Sequence, residues 1–301
     1  MEKKTALLIA AIMTAMAANA QLLYRISDNG LDRPSYIVGT LHTASAQFAN
    51  KITGIGDAIN ATEQVYGEVN ADSMELESVA ERVKTATTIP NGGTLRTVLT
   101  DEQYNKVNAT LAELLGVGLD NQRVWAEMGC TAPAMLAEQI ALLMCMQTHR
   151  GIIDPVNTID SYFQKVAKKN GEFAGGLETV DFQIELLRDS DMSRQVELLM
   201  CTIDNRQFVT DCLRGAVEAY YRQDIEGVKA AMDARVDNSC DSTPEEEARL
   251  LYDRNARWCA MMPAIMAAKP TLFAVGAGHL PGDKGVLALL RAAGYTVDAV
   301  K

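Results

Sequence analysis

Two tetrapeptides, Gly39-Thr40-Leu41-His42 and Gly276-Ala277-Gly278-His279, constrain this chain more than any other feature in it. Each glycine directly follows a short apolar run of β type, Tyr36-Ile37-Val38 near one end and 271–275 near the other. A strand closing on glycine can turn sharply and admit close backbone approach. In α/β sheets, ligand-binding and catalytic groups gather beyond the carboxyl ends of such strands. The chain holds three histidines, and two of them occupy the same place in this pattern. Both ends are therefore expected to supply strands to one core, with the two histidines sharing a site.

The surrounding residues complete each unit. After the first motif, 52–62 has helical spacing through Ile52, Ile55 and Ile59, and 64–69 reads as a strand. After the second, Pro281-Gly282-Asp283 turns the chain and offers Asp283 as N-cap of a helix through Leu287 and Leu290. Gly294 stops that helix, and 295–300 is a final strand. The middle is mostly helical, with apolar spacing over 101–115, 131–146, 158–169, 179–188, 192–221 and 224–233, and one strand at 172–176. A long helix opens on Thr243-Pro244-Glu245-Glu246, which combines an N-cap, a first-turn proline and a capping-box glutamate. It is expected to reach 268, kinked at Pro263. Residues 81–100 and 236–242 are the expected mobile loops. The fold class is α/β of the α+β kind: a mixed central sheet formed by both ends of the chain, with a large helical middle, about 101–235, packed on it or inserted into it.

The N-terminus reads as a targeting segment. Lys3 and Lys4 precede an apolar run from 5 to 17, and Ala18-Asn19-Ala20 is a small-x-small cleavage signal. Residues 1–20 are thus expected to be a secretory signal peptide, and 21–301 the mature domain, exported to a periplasmic or secreted location. The formal net charge is −11, and losing the leader makes it one unit more negative. A chain this acidic is a poor partner for nucleic acid. The longest later apolar stretch, 132–146, is broken by Glu138 and Gln139 and is shorter than a bilayer requires, so no stable membrane insertion is expected after cleavage. Export permits disulfides among the six cysteines. Their spacing does not fix the pairing, except that Cys130 and Cys145, flanking one helix about 22 Å apart, cannot join.

Candidate chemistry follows from residue type and position. His42 and His279 can serve as metal ligands or as acid–base groups near neutral pH. His149 instead follows a helix, where a cation favours the dipole. Glu68 ends the strand after the first motif and is either a site carboxylate or a solvated strand end. Glu178, after Gly175-Gly176-Leu177, stands at the mouth of a helix as a site carboxylate or a dipole-stabilised acid. Gln183 follows at helical distance. Asn255 shares a face with Leu251, Trp258 and Met262 and needs hydrogen-bond partners if buried. Arg254 can pair with a site carboxylate or a substrate anion. Two histidines and two carboxylates suit a divalent ion. There is no H-E-x-x-H helix, G-x-S-x-G elbow or Gly-rich phosphate loop.

These segments, taken in order with Gly176-Leu177-Glu178-Thr179 and the closing Gly294-Tyr295-Thr296-Val297, resemble the TraB/GumN (TraB/PrgY/GumN) family over nearly the whole mature chain. That family is similar to the Tiki metalloproteases and, more remotely, to erythromycin esterase-like (EreA) and haem-binding ChaN-like proteins. The resemblance implies adjacent first and last motifs and a metal-dependent hydrolytic site, most readily a peptidase. His42, Glu68, Glu178 and His279 carry over as site residues, with Arg254 and Asn255 behind them. On this basis His42 and His279 hold a divalent metal (Mn, Co or Zn). One of Glu68 and Glu178 is a further ligand and the other the general base, and Arg254 or Asn255 steadies the oxyanion. Asn70 departs from the family pattern, standing where an acid is common. The substrate is a peptide or small molecule, and the sequence does not fix the oligomeric state. Two other readings are a non-catalytic regulator binding a peptide, signal or haem, and a metal-independent, esterase-like hydrolase using histidine as base.

Overall fold

A computed structural model describes residues 21–301 apart from 75, 150, 151, 155 and 189. The signal peptide expected at 1–20 lies outside the described residues. Six strands form one sheet: β1 (Leu23–Ser27), β2 (Ser35–Thr40), β3 (Gln64–Val69), β4 (Phe173–Glu178), β5 (Thr271–Gly276) and β6 (Thr296–Ala299). Their order across the sheet is β4-β3-β5-β2-β1-β6. The run β4-β3-β5-β2 is parallel, and β1 pairs antiparallel with both β2 and β6. The sheet is mixed and built from both ends of the chain, as the two motifs require. β1 was not anticipated. Its apolar residues Leu23, Tyr24 and Ile26 are buried, and the Asp28-Asn29-Gly30 turn that ends it and leads into β2 was the signal in the sequence that went unread.

The register decides where the motifs go. In the parallel β2–β5 ladder Gly39 lies opposite Val275 and Thr40 opposite Gly276, so both strands end side by side at one sheet edge. Glycine is required at Gly39 because a Cβ there would stand 3.1 Å from Ala277 Cα and 3.2 Å from Leu280 Cδ1, in the turn that follows β5. At the same edge Val69 of β3 lies opposite Glu178 of β4.

The longer helices are α1 (Ile55–Ala61), α2 (Glu77–Ala86), α3 (Asp101–Leu115), α4 (Gln122–Met128), α5 (Pro133–Thr148), α6 (Ile159–Lys169), α7 (Val180–Leu186), α8 (Met192–Asp204), α9 (Arg206–Tyr221), α10 (Ile225–Met232), α11 (Asp253–Ala268) and α12 (Val286–Ala292). The apolar spacing located most of them to within a few residues, and α3 starts where the Thr100–Gln103 capping box places it. The sheet is covered by one core that includes Phe163, Tyr220, Trp258, Met262 and Leu290. The helical middle builds a second core around Leu95, Leu111, Leu136, Ile140 and Leu199.

Five local expectations change. The helix expected over 192–221 is interrupted at Asn205, whose side chain donates to Cys201 O and to Cys240 Sγ. Asp283 does not cap α12, because the Pro281–Gly285 turn delays the helix start to Val286, with Gly285 at the cap. Residues 81–100 are the end of α2 and two short helical turns, Pro90–Gly92 and Leu95–Val98, rather than a loop. The 236–242 segment is pinned by a Cys201–Cys240 disulfide and by backbone amides of Val236 and Asp237 donating to Asp241. The long C-terminal helix continues through Pro263. Its departure from α geometry comes earlier, where the capped turn Pro244–Glu247 widens into a π turn over Ala248–Tyr252.

The disulfide closes a separation of 39 residues. Removing that constraint by Cys201→Ala with Cys240→Ala is expected to cost about 4 kcal/mol through loop entropy of the unfolded chain. Urea unfolding of the wild type, with and without reductant, and of the double variant measures it. Reductant should shift the first protein and leave the second unmoved.

Candidate active site

The four parallel strands deliver their last residues to one edge, and the site grows from there. Glu68 leaves β3 one residue before its end. One carboxylate oxygen accepts the Gly276 amide at 2.7 Å and the other accepts Arg254 Nη2 at 2.5 Å. A Cβ at Gly276 would lie 3.1 Å from Glu68 Oε1, so glycine lets the amide and carboxylate meet. Glu178, at the end of β4, accepts Arg254 Nε at 2.9 Å and Nη2 at 3.0 Å, and Gln183 Nε2 at 2.8 Å. Its side chain is 3% exposed.

Arg254 is the hub. It projects from α11 just after the π turn, which puts an extra residue into that turn and sets the phase of the helix that follows. Besides the two carboxylates, its guanidinium donates to Leu250 O at 3.1 Å and lies 3.2 Å from His279 Nε2. It also sits 4.9 Å from the Trp258 ring centroid, while Trp258 packs on His279 at 4.4 Å between ring centroids. Burial alone would raise the Glu68 carboxyl. Its neighbours His279, His42 and Arg254, with the Gly276 amide, outweigh burial and hold it below the usual carboxylate range.

His279 is buried, and its orientation is fixed from behind. Asn255 Nδ2 donates to Lys284 O at 2.9 Å, which turns Asn255 Oδ1 toward His279 Nδ1 at 2.7 Å. His279 therefore carries its proton on Nδ1 and presents the Nε2 lone pair to the cluster. Burial lowers its pKa to about 4, so the ring is neutral at pH 7. With its amide committed on both sides, Asn255 positions His279 and does not face substrate, contrary to the expected oxyanion role.

His42 follows the same design from the other motif. Its Nδ1 lies 3.2 Å from Asp160 Oδ2, and Asp160 Oδ1 accepts Thr40 Oγ1 at 2.5 Å. Hydrogen bonding to Asp160 raises the His42 pKa to about 9. The ring is nonetheless open to water, and it lines a cleft of about 470 Å³ together with Glu68, Asp160, Gln183, Gln164 and Val156. Tyr220 of α9 donates to Gly39 O at 3.2 Å and ties the helical middle to this turn.

His42, Glu68, Glu178, Arg254, Asn255 and His279 thus meet at one sheet edge. His149 caps the end of α5, buried, with Nδ1 2.9 Å from Thr148 Oγ1, and takes no part. Asn70 accepts the Asp72 amide and donates to Ala174 O, so it shapes the turn after β3. Sequence reasoning missed Asp160, because an acid in the first turn of a helix is ordinary. Among the described residues no group of three His, Cys, Asp or Glu is arranged to hold a metal ion as it stands. The Arg254 guanidinium lies among the candidate donors and bonds to several of them.

Residues 22–299 match the TraB/PrgY/gumN family, and the chain belongs to it. Among curated proteins it is similar to the Metalloprotease TIKI1 of Danio rerio, at 23% identity over 311 aligned positions. That match covers 89% of this chain and 61% of the relative. No solved structure matches.

Removing one partner from a buried ion network leaves the others uncompensated. Arg254→Met is therefore expected to cost about 3–5 kcal/mol at pH 7, read by urea unfolding. A cost below about 1 kcal/mol would mean that the cluster behaves as a solvated surface pair.

Proposed function

We propose that this member of the TraB/PrgY/gumN family is an exported, metal-dependent hydrolase acting on peptides. One observation carries the reading: both motif histidines face a side-chain oxygen at Nδ1, Asn255 Oδ1 at 2.7 Å for His279 and Asp160 Oδ2 at 3.2 Å for His42. That support is typical of metal-ligating histidines, because it fixes the ring and leaves Nε2 to coordinate. The donor set fits a divalent ion such as Mn, Co or Zn. His279 is neutral, and Glu68 is ionised and 4.0 Å from His279 Nε2. His42, Glu68 and His279 are the residues that would hold it. Glu178 is a weaker donor, because Arg254 and Gln183 occupy its oxygens. When bound, the ion supplies Lewis-acid polarisation of a carbonyl and a more acidic water.

The chain's own residues do the rest. Glu68 and Glu178 hold Arg254 as a fixed cation behind the cleft, where it would favour a developing oxyanion through its charge and not by a free N–H. Asn255 keeps the His279 imidazole in one tautomer, and Asp160 orients the His42 ring. Support for export comes from the Cys201–Cys240 disulfide, which belongs to oxidising compartments. No helix among the described residues is long and apolar enough to cross a membrane. The His42–Asp160 pair favours a second reading, metal-independent hydrolysis with His42 as base. A pKa near 9 keeps His42 protonated at neutral pH, which weakens it as a base and means that an ion bound there would have to displace its proton.

Purified mature protein is expected to bind about one Mn, Co or Zn per chain by elemental analysis after dialysis. His42→Ala and His279→Ala should each abolish both the metal and the cleavage of a peptide library. Full turnover in excess chelator would sink the metal-dependent reading in favour of the second one.

A further inference from the structure

The cleft that holds His42 and Glu68 is also lined by Lys165 of α6. The other charged groups of that lining are matched. His42 faces Asp160, and Glu68 is bound to the Arg254 guanidinium behind the wall. Lys165 is exposed and makes no hydrogen bond or ion pair among the described residues. Its neighbour one turn on, Lys168, is instead paired with Asp72. The glutamines of the lining are committed as well, Gln164 to Val69 O and Gln183 to Glu178. The cleft therefore keeps one unmatched positive charge.

The helix fixes where that charge stands. Thr158, Ser161, Gln164 and Lys165 all line the cleft, at the three- and four-residue intervals that share one helix face. Lys165 lies five residues beyond Asp160, about 7.5 Å along the helix axis from the acid that orients His42. An extended peptide covers that distance in roughly two residues. Facing the same space are Met74 and Val156, which remain 43% and 82% exposed although both are large and apolar. The lining thus offers a cation and an apolar surface within reach of the histidine.

We propose that Lys165 determines specificity at this site, binding a carboxylate of the substrate roughly two residues from the scissile bond, while Met74 and Val156 receive an apolar side chain beside it. This deepens the hydrolase reading above and rests on it. The carboxylate is that of a peptide C-terminus or of an acidic side chain, and the two present the same chemistry to an ammonium group. The chain's net charge of −11 repels polyanions. A single carboxylate in the cleft meets Lys165 at close range, where distant acids are screened.

The test uses metal-loaded protein and three forms of one short apolar peptide: the free acid, its C-terminal amide carrying an internal glutamine, and that amide with glutamate in place of the glutamine. Calorimetry reads affinity and product analysis reads kcat/KM. Wild type should favour the free acid or the glutamate form over the uncharged one by about five- to tenfold, and high salt should shrink the difference. Whichever charged form is favoured identifies the source of the carboxylate. Lys165→Glu should invert the preference, which a loss of folding cannot do, and Lys165→Arg should keep it. Ratios within about twofold of one, no binding of any of the peptides, or an unchanged preference in Lys165→Glu overturns the role of Lys165 and leaves metal-dependent cleavage to stand or fall by itself. Carboxylate-dependent binding that Lys165→Glu inverts, with none of the peptides cleaved, keeps the role of Lys165 and overturns the hydrolase reading.

Discussion

The arrangement of this site depends on one buried guanidinium. Arg254 joins Glu68 of β3, Glu178 of β4 and His279 beyond β5, three groups that reach the same sheet edge from widely separated parts of the sequence. Two carboxylates and a neutral imidazole so close together would be costly without a cation among them. The π turn before Arg254, the glycine at 276 and the Trp258 ring all serve to put that cation in place. The same requirement explains why the long C-terminal helix is irregular at its start and regular past Pro263.

Much of this was legible in the sequence because it is local. A strand, a glycine and a histidine three residues on are readable without any knowledge of partners, and parallel pairing of β2 with β5 follows once both must meet. Helix starts were legible where the capping residues are self-contained, as at Thr100 and Thr243. Long-range partners were not. Asp160 looks like any first-turn acid until Thr40 and His42 are seen beside it. The break at Asn205 reflects its bonds to Cys201 and Cys240, and the order in 236–242 depends on the same disulfide.

The two histidines illustrate how one sequence pattern yields unlike electrostatics. His279 sits in the core against Trp258, where burial keeps it neutral. His42 stands in the open cleft against an ionised Asp160, which favours the charged ring. Both nevertheless have an oxygen at Nδ1, and this shared feature, rather than the shared spacing, is what the proposal of metal binding rests on. An ion held there would compete with Arg254 for Glu68 and His279, and without one the guanidinium is the cation that keeps the carboxylates ordered.

The central claim is that the two Gly-x-x-His turns present their imidazoles to one metal. X-ray absorption spectroscopy of the zinc- or cobalt-loaded mature protein addresses it directly. The account predicts a first shell containing two imidazole nitrogens, with the outer-ring scattering they produce, alongside carboxylate or water oxygens. A first shell of oxygens with no imidazole scattering would contradict it.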